Sequence, residues 1–204
     1  MSQIDMWAIE TQCFEGGFDL VCGVDEAGRG PLAGPVCAAA VILPPHHQIP
    51  YLNDSKKLTD KRRRELFPVI KEQALAYGIG LASEKEIDEI NILQATFLAM
   101  ERALTQLKLR PDLALIDGNR EKDFGIPVQT VVQGDSRSAN IAAASVLAKV
   151  TRDDYMEAMA GEYPGYGFEV HKGYGTKAHY KALTELGPSR IHRMTFLRKF
   201  YGEA

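Results

Sequence analysis

Apolar residues fall into short unbroken runs in the first quarter of the chain and into stripes at helical spacing further on. Leu20–Val24 and Val36–Leu43 are compact apolar runs, the second closed by Pro44-Pro45. Both predict buried strands, joined by the glycine-rich segment Ala27–Pro35. Thr59 has the character of a helix cap, with the helix running to about Tyr77, and Tyr77–Ala82 predicts a third strand. Ser83 and Glu86 stand at capping-box spacing, and Asn91 and Gln94 repeat it more loosely. Beyond them Leu93, Phe97, Met100, Leu104 and Leu107 form a core-facing helical stripe. Leu113–Ile116 and the β-branched run Val128–Val132 predict two more strands. Ser138 precedes an Ala-rich helix from Ala139 to about Ala160, whose small residues allow close packing. Tyr163–Gly175 reads as a Gly- and aromatic-rich loop, and Thr176 opens a final helix to about Leu186. A hairpin followed by alternating helices and strands predicts an α/β fold. Its central mixed five-stranded sheet is flanked by helices, with a helical C-terminal part from about residue 163. Residues 1–19 read as an N-terminal extension to one domain spanning 20–204.

Composition narrows the class. Met1 to Glu10 carries acidic side chains and no basic stretch, unlike a signal peptide, and Val36–Leu43 is too short to span a bilayer. A soluble, cytoplasmic, monomeric protein without membrane partners is the expectation. Three cysteines, Cys13, Cys22 and Cys37, have neither disulfide-framework nor zinc spacing, and two lie in apolar runs, as buried thiols do. The net charge of −3 hides an asymmetry: His171 to Ala204 holds seven Lys or Arg against two Glu. A second basic cluster comprises Lys56, Lys57, Lys61, Arg62, Arg63 and Arg64. Such patches attract polyanions, but on charge alone a solvated helix face is the better reading.

Four carboxylates carry the candidate chemistry. Asp25 and Glu26 follow the first apolar run, Asp117 follows Leu113–Ile116, and Asp135 follows the Val128–Val132 run. Each stands at the end of a predicted strand, where open α/β sheets bind ligands. Adjacent strand residues point to opposite faces, so Asp25 and Glu26 need a twist or a strand end to serve one site. Like charges gathered at one point repel unless cations neutralise them, and hard divalent ions such as Mg²⁺ or Mn²⁺ take oxygen ligands. Two such ions about 4 Å apart clamp a phosphodiester. Taken singly, each acid is better explained by turn chemistry, as Asp117-Gly118-Asn119 illustrates, and only the four together favour function. The spacing does not name a reaction.

The segment Gly28-Arg29-Gly30-Pro31-Leu32-Ala33-Gly34 is neither a dinucleotide fingerprint nor a Walker loop. Its glycines allow close backbone approach to a ligand, and Arg29 suits a phosphate, although a tight hairpin turn explains it as simply. The longer stretch Gly23-Val24-Asp25-Glu26-Ala27-Gly28-Arg29-Gly30-Pro31-Leu32-Ala33-Gly34-Pro35-Val36 resembles the opening signature of the ribonuclease HII family. The resemblance continues in order through Leu52–Leu58, Ile87–Leu93, Leu115–Asn119, Gly134–Ser136, Ile141–Ser145, Ala148–Asp153 and His171–Thr176.

That resemblance implies a ribonuclease H fold, with Asp25, Glu26, Asp117 and Asp135 as metal-binding catalytic acids of a two-metal Mg²⁺ or Mn²⁺ site. It implies that Gly28, Arg29 and Gly30 contact a ribose 2′-OH, the group that separates RNA from DNA. Tyr174 would pack on the following deoxyribose, and Ser55 and Lys56 would lie near the substrate backbone. The implied activity is endonucleolytic hydrolysis of the RNA strand of RNA–DNA hybrids. It includes cutting 5′ of single ribonucleotides embedded in duplex DNA, for ribonucleotide removal and RNA primer removal. Gln133 departs from the Lys expected there, and the C-terminal Met194–Lys199 follows the family ending only loosely, leaving replication-clamp binding unsupported. The related ribonuclease HIII family usually carries an extra N-terminal domain, and only about twenty residues precede the signature here. A non-catalytic relative would be expected to lose an acid, and all four are present. His179 lies on a predicted helix and His171 and His192 lack ligand spacing, so all three read as surface or substrate-adjacent. Tyr163, Tyr166 and Phe168 read as loop anchors, and Trp7 and Phe14 as a peripheral segment.

Overall fold

A short helix, α1 (Ala8–Glu15), leads into β1 (Val21–Ala27) and β2 (Val36–Ile42). Next come α2 (Asp60–Gln73), β3 (Ala76–Ala82), α3 (Glu84–Thr105), β4 (Leu113–Asp117) and β5 (Val128–Val131). A 3-10 turn at Gly134–Ser136 precedes α4 (Ala139–Glu162), α5 (Phe168–His171), α6 (Lys177–Leu186) and α7 (Met194–Tyr201). This computed structural model describes residues 5–53 and 55–202; Asp54, inside the Leu52–Leu58 motif, lies outside them. The five strands form one mixed sheet in the order β3-β2-β1-β4-β5. β1, β2 and β3 are antiparallel neighbours, while β4 runs parallel to β1 and β5 parallel to β4.

The alternation along β2 shows how one sheet supports two cores. Val36, Ala38, Ala40 and Ile42 pack with Ala95, Ala99 and Met100 of α3. Cys37, Ala39 and Val41 face the other way, toward Ala143, Ala144 and Leu147 of α4 and Leu66 and Ile70 of α2. The period of two therefore assigns a helix to each face. Small residues bring α4 close: a Cβ on Gly23 of β1 would stand 2.1 Å from the Ile141 nitrogen. A third core lies in the C-terminal part, where Tyr166, Phe168, Leu183, Ile191 and Leu197 gather.

Several elements differ from their expected limits. β1 continues through Asp25 and Glu26 to Ala27, because Asp25, Glu26 and Ala27 pair with Ala39, Ala38 and Cys37 of β2. Its ladder with β4 stops at Val24 opposite Ile116, so the two strands part just before their acids. α2 ends at Gln73 rather than near Tyr77, since Ala76 and Tyr77 pair with Ile42 and Val41 of β2. Asn91 adopts φ 67° and ψ 163° within α3, and its Oδ1 accepts from the nitrogens of Leu93 (3.0 Å) and Gln94 (3.2 Å). The looser capping signal is thus a cap inside a kinked helix. A short helix, α5, interrupts the expected 163–175 loop, and α7 follows the helix expected to be last.

Trp7 and Phe14 are not peripheral. Trp7 is buried in the second core and donates from Nε1 to the His47 carbonyl at 3.0 Å, and Phe14 packs beside it. Glu10 of α1 is fully buried and accepts from Ser138 Oγ (2.6 Å) and the Asn140 nitrogen (3.1 Å), where a carboxylate suits the α4 N-terminus. Cys22 and Cys37 are free and buried, as expected, and so is Cys13; Tyr166 and Phe168 anchor their loop in the third core with Tyr163 packed against it, also as expected. Among the described residues no helix is long and apolar enough to cross a membrane.

The close approach of α4 to β1 makes one prediction. Gly23→Ala should lower unfolding free energy by about 3 kcal/mol or more, because the obstructing atoms are backbone. Urea denaturation of the purified variant measures it, and a midpoint equal to wild type would contradict this packing.

Candidate active site

Asp25 lies on the face of β1 that meets α4, two residues beyond Gly23, and Asp117 extends the same face of β4. Asp135 comes from the 3-10 turn after β5, just before the Ser138 cap of α4. One carboxylate oxygen from each of these three residues lies within 4.8 Å of the others. Asp25 and Asp135 are 3% and 4% exposed, so these charges meet where water screens them little. Glu26, the next residue, turns toward the α3 side and lines a pocket with Arg29, Leu93, Phe97, Asp117 and Asn119. The difficulty foreseen for adjacent acids is real. Asp25 and Glu26 occupy opposite faces, and Asp117 acts on both across the parted strand ends.

Burial raises the Asp25 carboxyl well above its ordinary value of 3.8, and Glu26 and Asp117 raise it further. Ser145 of α4 and the Glu26 nitrogen, which donates to Asp25 Oδ1 at 2.7 Å, act against this. Burial also raises Glu26, while Arg29 Nη1, 3.3 Å from Glu26 Oε1, holds it down. Asp117 Oδ1 accepts from the Gly134 nitrogen at 2.7 Å, which ties the end of β4 to the turn carrying Asp135. Lys56 Nζ reaches Asp135 Oδ2 at 3.2 Å. These contacts offset part of the repulsion. An all-oxygen set of this kind fits a hard divalent cation, with Asp25, Asp117 and Asp135 as ligands and Glu26 beside them.

The glycine loop is held from beneath by two buried guanidiniums. Arg152 of α4 donates to the carbonyls of Pro35 (3.0 Å), Ala33 (3.1 Å) and Lys172 (3.0 Å). Arg193 donates to the carbonyls of Gly34 (2.9 Å), Arg29 (2.9 Å) and Gly28 (2.6 Å). Burial, and the neighbouring Arg152, pull Arg193 down to about 9, which leaves it charged at neutral pH. In a trans peptide the N–H opposes the C=O. With the Gly28 and Arg29 carbonyls turned inward, the N–H groups of Arg29 and Gly30 point outward. Gly28 has φ +95°, and an added Cβ there would meet the Arg152 side chain, so both the turn and the clamp require glycine.

The remaining expected residues separate. Tyr174 is 44% exposed, lies over the Arg152 guanidinium at 5.9 Å, and stands 3.7 Å from where a Gly30 Cβ would be. Ser55 is buried, its Oγ 2.7 Å from Ser145 Oγ, and so supports Asp25 from behind instead of facing the surface. Arg63 and Arg64 of the basic cluster are engaged within the fold: Arg63 with the carbonyls of Ser55 and Leu58, Arg64 with Asp60, Asp154 and Glu157. Gln133 is exposed in a left-handed conformation at the turn before Asp135. His179 and His192, expected at the surface or beside the substrate, are buried at 0% and 3% exposure. A wider groove lined by Leu104, Leu107, Arg110 and Phe124 precedes β4 and β5, at the opposite end of these strands from the acids. Sequence reasoning missed Ser145 and Arg152, although both lie inside recognised motifs, and Arg193, which looked like one more basic residue of the tail.

The family model for ribonuclease HII matches residues 22–199. A ribonuclease HII of Endomicrobium trichonymphae is 56% identical over 193 residues, covering 94% of this chain and 92% of that protein. The crystal structure of the ribonuclease H2 from Pyrococcus horikoshii OT3 superposes with a TM-score of 0.71 at 28% identity, over 87% of this chain and 93% of that one. The fold also matches that of Bst-RNase HIII in complex with Mn²⁺, with a TM-score of 0.62 at 20% identity over 82% of this chain and 63% of that one.

The raised Asp25 has a consequence for stability. A carboxyl whose folded value exceeds its unfolded one stabilises the fold most at low pH, and that contribution is lost as pH climbs from 3.8 through the folded value. At neutral pH in EDTA, Asp25→Asn should therefore melt higher than wild type. Added Mn²⁺ should stabilise wild type and leave the variant nearly unmoved. Thermal melts with and without metal check both signs, and a variant less stable than wild type in EDTA would contradict the buried-charge account.

Proposed function

The chain belongs to the ribonuclease HII family, and from this we propose that it is the endonucleolytic form of ribonuclease H that cuts 5′ of single ribonucleotides within duplex DNA as well as within RNA–DNA hybrids. Ribonuclease H activity follows from the family; the finer specificity is our reading of the site. One observation carries it: three carboxylates converge within 4.8 Å beside a loop whose outward N–H groups adjoin Tyr174.

Asp25, Asp117 and Asp135, with Glu26 alongside, are the residues that would hold two Mg²⁺ or Mn²⁺ ions. Such ions, when bound, activate water and stabilise the leaving oxygen of a phosphodiester. The chain's own residues choose the bond. The N–H groups of Arg29 and Gly30 are directed to donate to a ribose 2′-oxygen, which deoxyribose lacks. The Tyr174 ring packs on the sugar that follows, where a deoxyribose fits more closely than a ribose. Arg29, paired with Glu26 and half exposed, is within reach of the adjacent phosphate. Lys56, joined to Asp135 yet largely exposed, can shift from the carboxylate to the substrate backbone. Arg152 and Arg193 keep positive charge beneath the loop and favour an anionic strand above it. Products with a 3′-OH and a 5′-phosphate are expected, which suits removal of misincorporated ribonucleotides and of RNA primers.

The test uses a labelled DNA duplex with one internal ribonucleotide. A single cut 5′ to that residue is expected in Mg²⁺ or Mn²⁺, with none in EDTA and none on all-DNA duplex. Asp117→Asn should lower kcat by at least about a hundred-fold. Full activity in that variant would remove Asp117 from the site, and cutting confined to long hybrids would remove the proposed role of Tyr174.

A further inference from the structure

The third core contains three histidines that the proposed chemistry does not use. His171 and His179 stack with centroids 4.4 Å apart and ring planes 17° from parallel, and Phe168 meets both edge-on. His179 Nε2 and His192 Nε2 are 3.0 Å apart, so one shared proton lies between two buried rings. Their partners settle which nitrogen carries each proton. The Ser189 main-chain N–H, which can only donate, lies 2.8 Å from His192 Nδ1. A neutral His192 must then be protonated at Nε2 and donate to His179 Nε2. His179 is left with its proton on Nδ1, which is 2.9 Å from the Tyr174 carbonyl, a group that can only accept. His171 follows the same logic: the Gly173 nitrogen donates to its Nδ1 at 3.2 Å, and its Nε2 donates to the Tyr166 carbonyl at 2.8 Å. One set of tautomers satisfies every ring nitrogen. Burial lowers His179 and takes His192 down to about 4, so both remain neutral at physiological pH.

The chain of bonds ends on Tyr174, an exposed ring beside Gly30 of the glycine loop. The Tyr174 carbonyl has its two lone pairs taken by His179 and by the Thr176 nitrogen at 2.8 Å. The Tyr174 nitrogen donates to the His171 carbonyl at 2.9 Å, and the Gly173 carbonyl accepts from the Leu32 nitrogen at 2.8 Å. Lys172 and Gly173, just before it, are left-handed at φ 52° and 83°, a bend that needs such support. We propose that His192 and His179 form a relay of neutral imidazoles that fixes the Tyr174 backbone, making both of them positioning residues for recognition of the sugar beyond the ribonucleotide. The proposal rests on the reading of Tyr174 given above.

Asparagine at 179 keeps an amide N–H near the Nδ1 position, while glutamine places its amide near Nε2. His179→Gln should therefore lose the bond to Tyr174, and His179→Asn should keep it. On the single-ribonucleotide duplex, His179→Gln is expected to raise KM about ten-fold, the size of one neutral hydrogen bond, with kcat within about two-fold. His179→Asn should stay near wild type although both variants lose stability. In a Tyr174→Ala background, His179→Gln should add almost nothing. Equal damage from Asn and Gln, or an undiminished Gln effect in that background, would overturn the relay. A Tyr174→Ala variant with unchanged KM would instead overturn the role of Tyr174. Nitrogen-15 NMR of the unaltered protein tests the relay apart from activity. His179 protonated at Nδ1 and His192 at Nε2 is expected, and the reverse pattern in either ring would overturn it.

Discussion

Carboxylates brought together at the ends of neighbouring strands repel one another, and burial strengthens the repulsion because little water remains to screen it. Much of the surrounding architecture bears on that constraint. β1 and β4 separate after Val24 and Ile116, so Asp25 and Asp117 stand at a parting of strands, with Glu26 on the far face. Ser145, Gly134 and the Glu26 nitrogen direct hydrogen bonds at the acids, and Arg29 and Lys56 bring charge from the rim. What these contacts leave uncompensated is the attraction available to a cation. The same electrostatics that weakens the metal-free fold thus prepares the site.

Opposite charges are buried a few residues away. Arg152 and Arg193 direct their hydrogen bonds to main-chain carbonyls, with Glu84 and Asp88 near Arg193 and Asp153 near Arg152 balancing only part of their charge. The loop between β1 and β2 consequently lies between a cluster of acids and a pair of cations. The first suits metal and the second suits phosphate, and a phosphodiester bound to metal meets both. α4 links the two halves, since it carries Ser145 toward Asp25 and Arg152 toward the loop.

The five strands, the main helices and the caps at Thr59, Ser83, Ser138 and Thr176 were legible in the sequence because each has a local cause: an apolar run, a stripe or a capping side chain. The three converging aspartates were legible too, since each follows an apolar run, although Asp25 lies within β1 and Asp135 in the turn after β5. What escaped depends on distant partners. Ala76 joins a strand rather than a helix because Ile42 lies opposite it, and no local pattern records that pairing. His179 and His192 looked polar and exposed, yet they satisfy each other inside a core of aromatic rings. Arg193 gave no sign of its role, because its partners lie about 160 residues earlier in the chain.

That separation has a consequence for the protein during its own synthesis. The loop's carbonyls belong to residues 28–35, while the guanidinium that turns the Gly28 and Arg29 peptides belongs to residue 193. At ordinary elongation rates the interval between them is on the order of ten seconds. Throughout that time the acids of β1 have already been made, but the loop lacks the guanidinium that turns its Gly28 and Arg29 peptides, even after Arg152 is available to Ala33 and Pro35. A nascent chain therefore leaves the ribosome's polymerising centre without a formed reading loop. The Gly28 and Arg29 peptides are held outward only once residue 193 can reach them, long after the acids of β1 have been made.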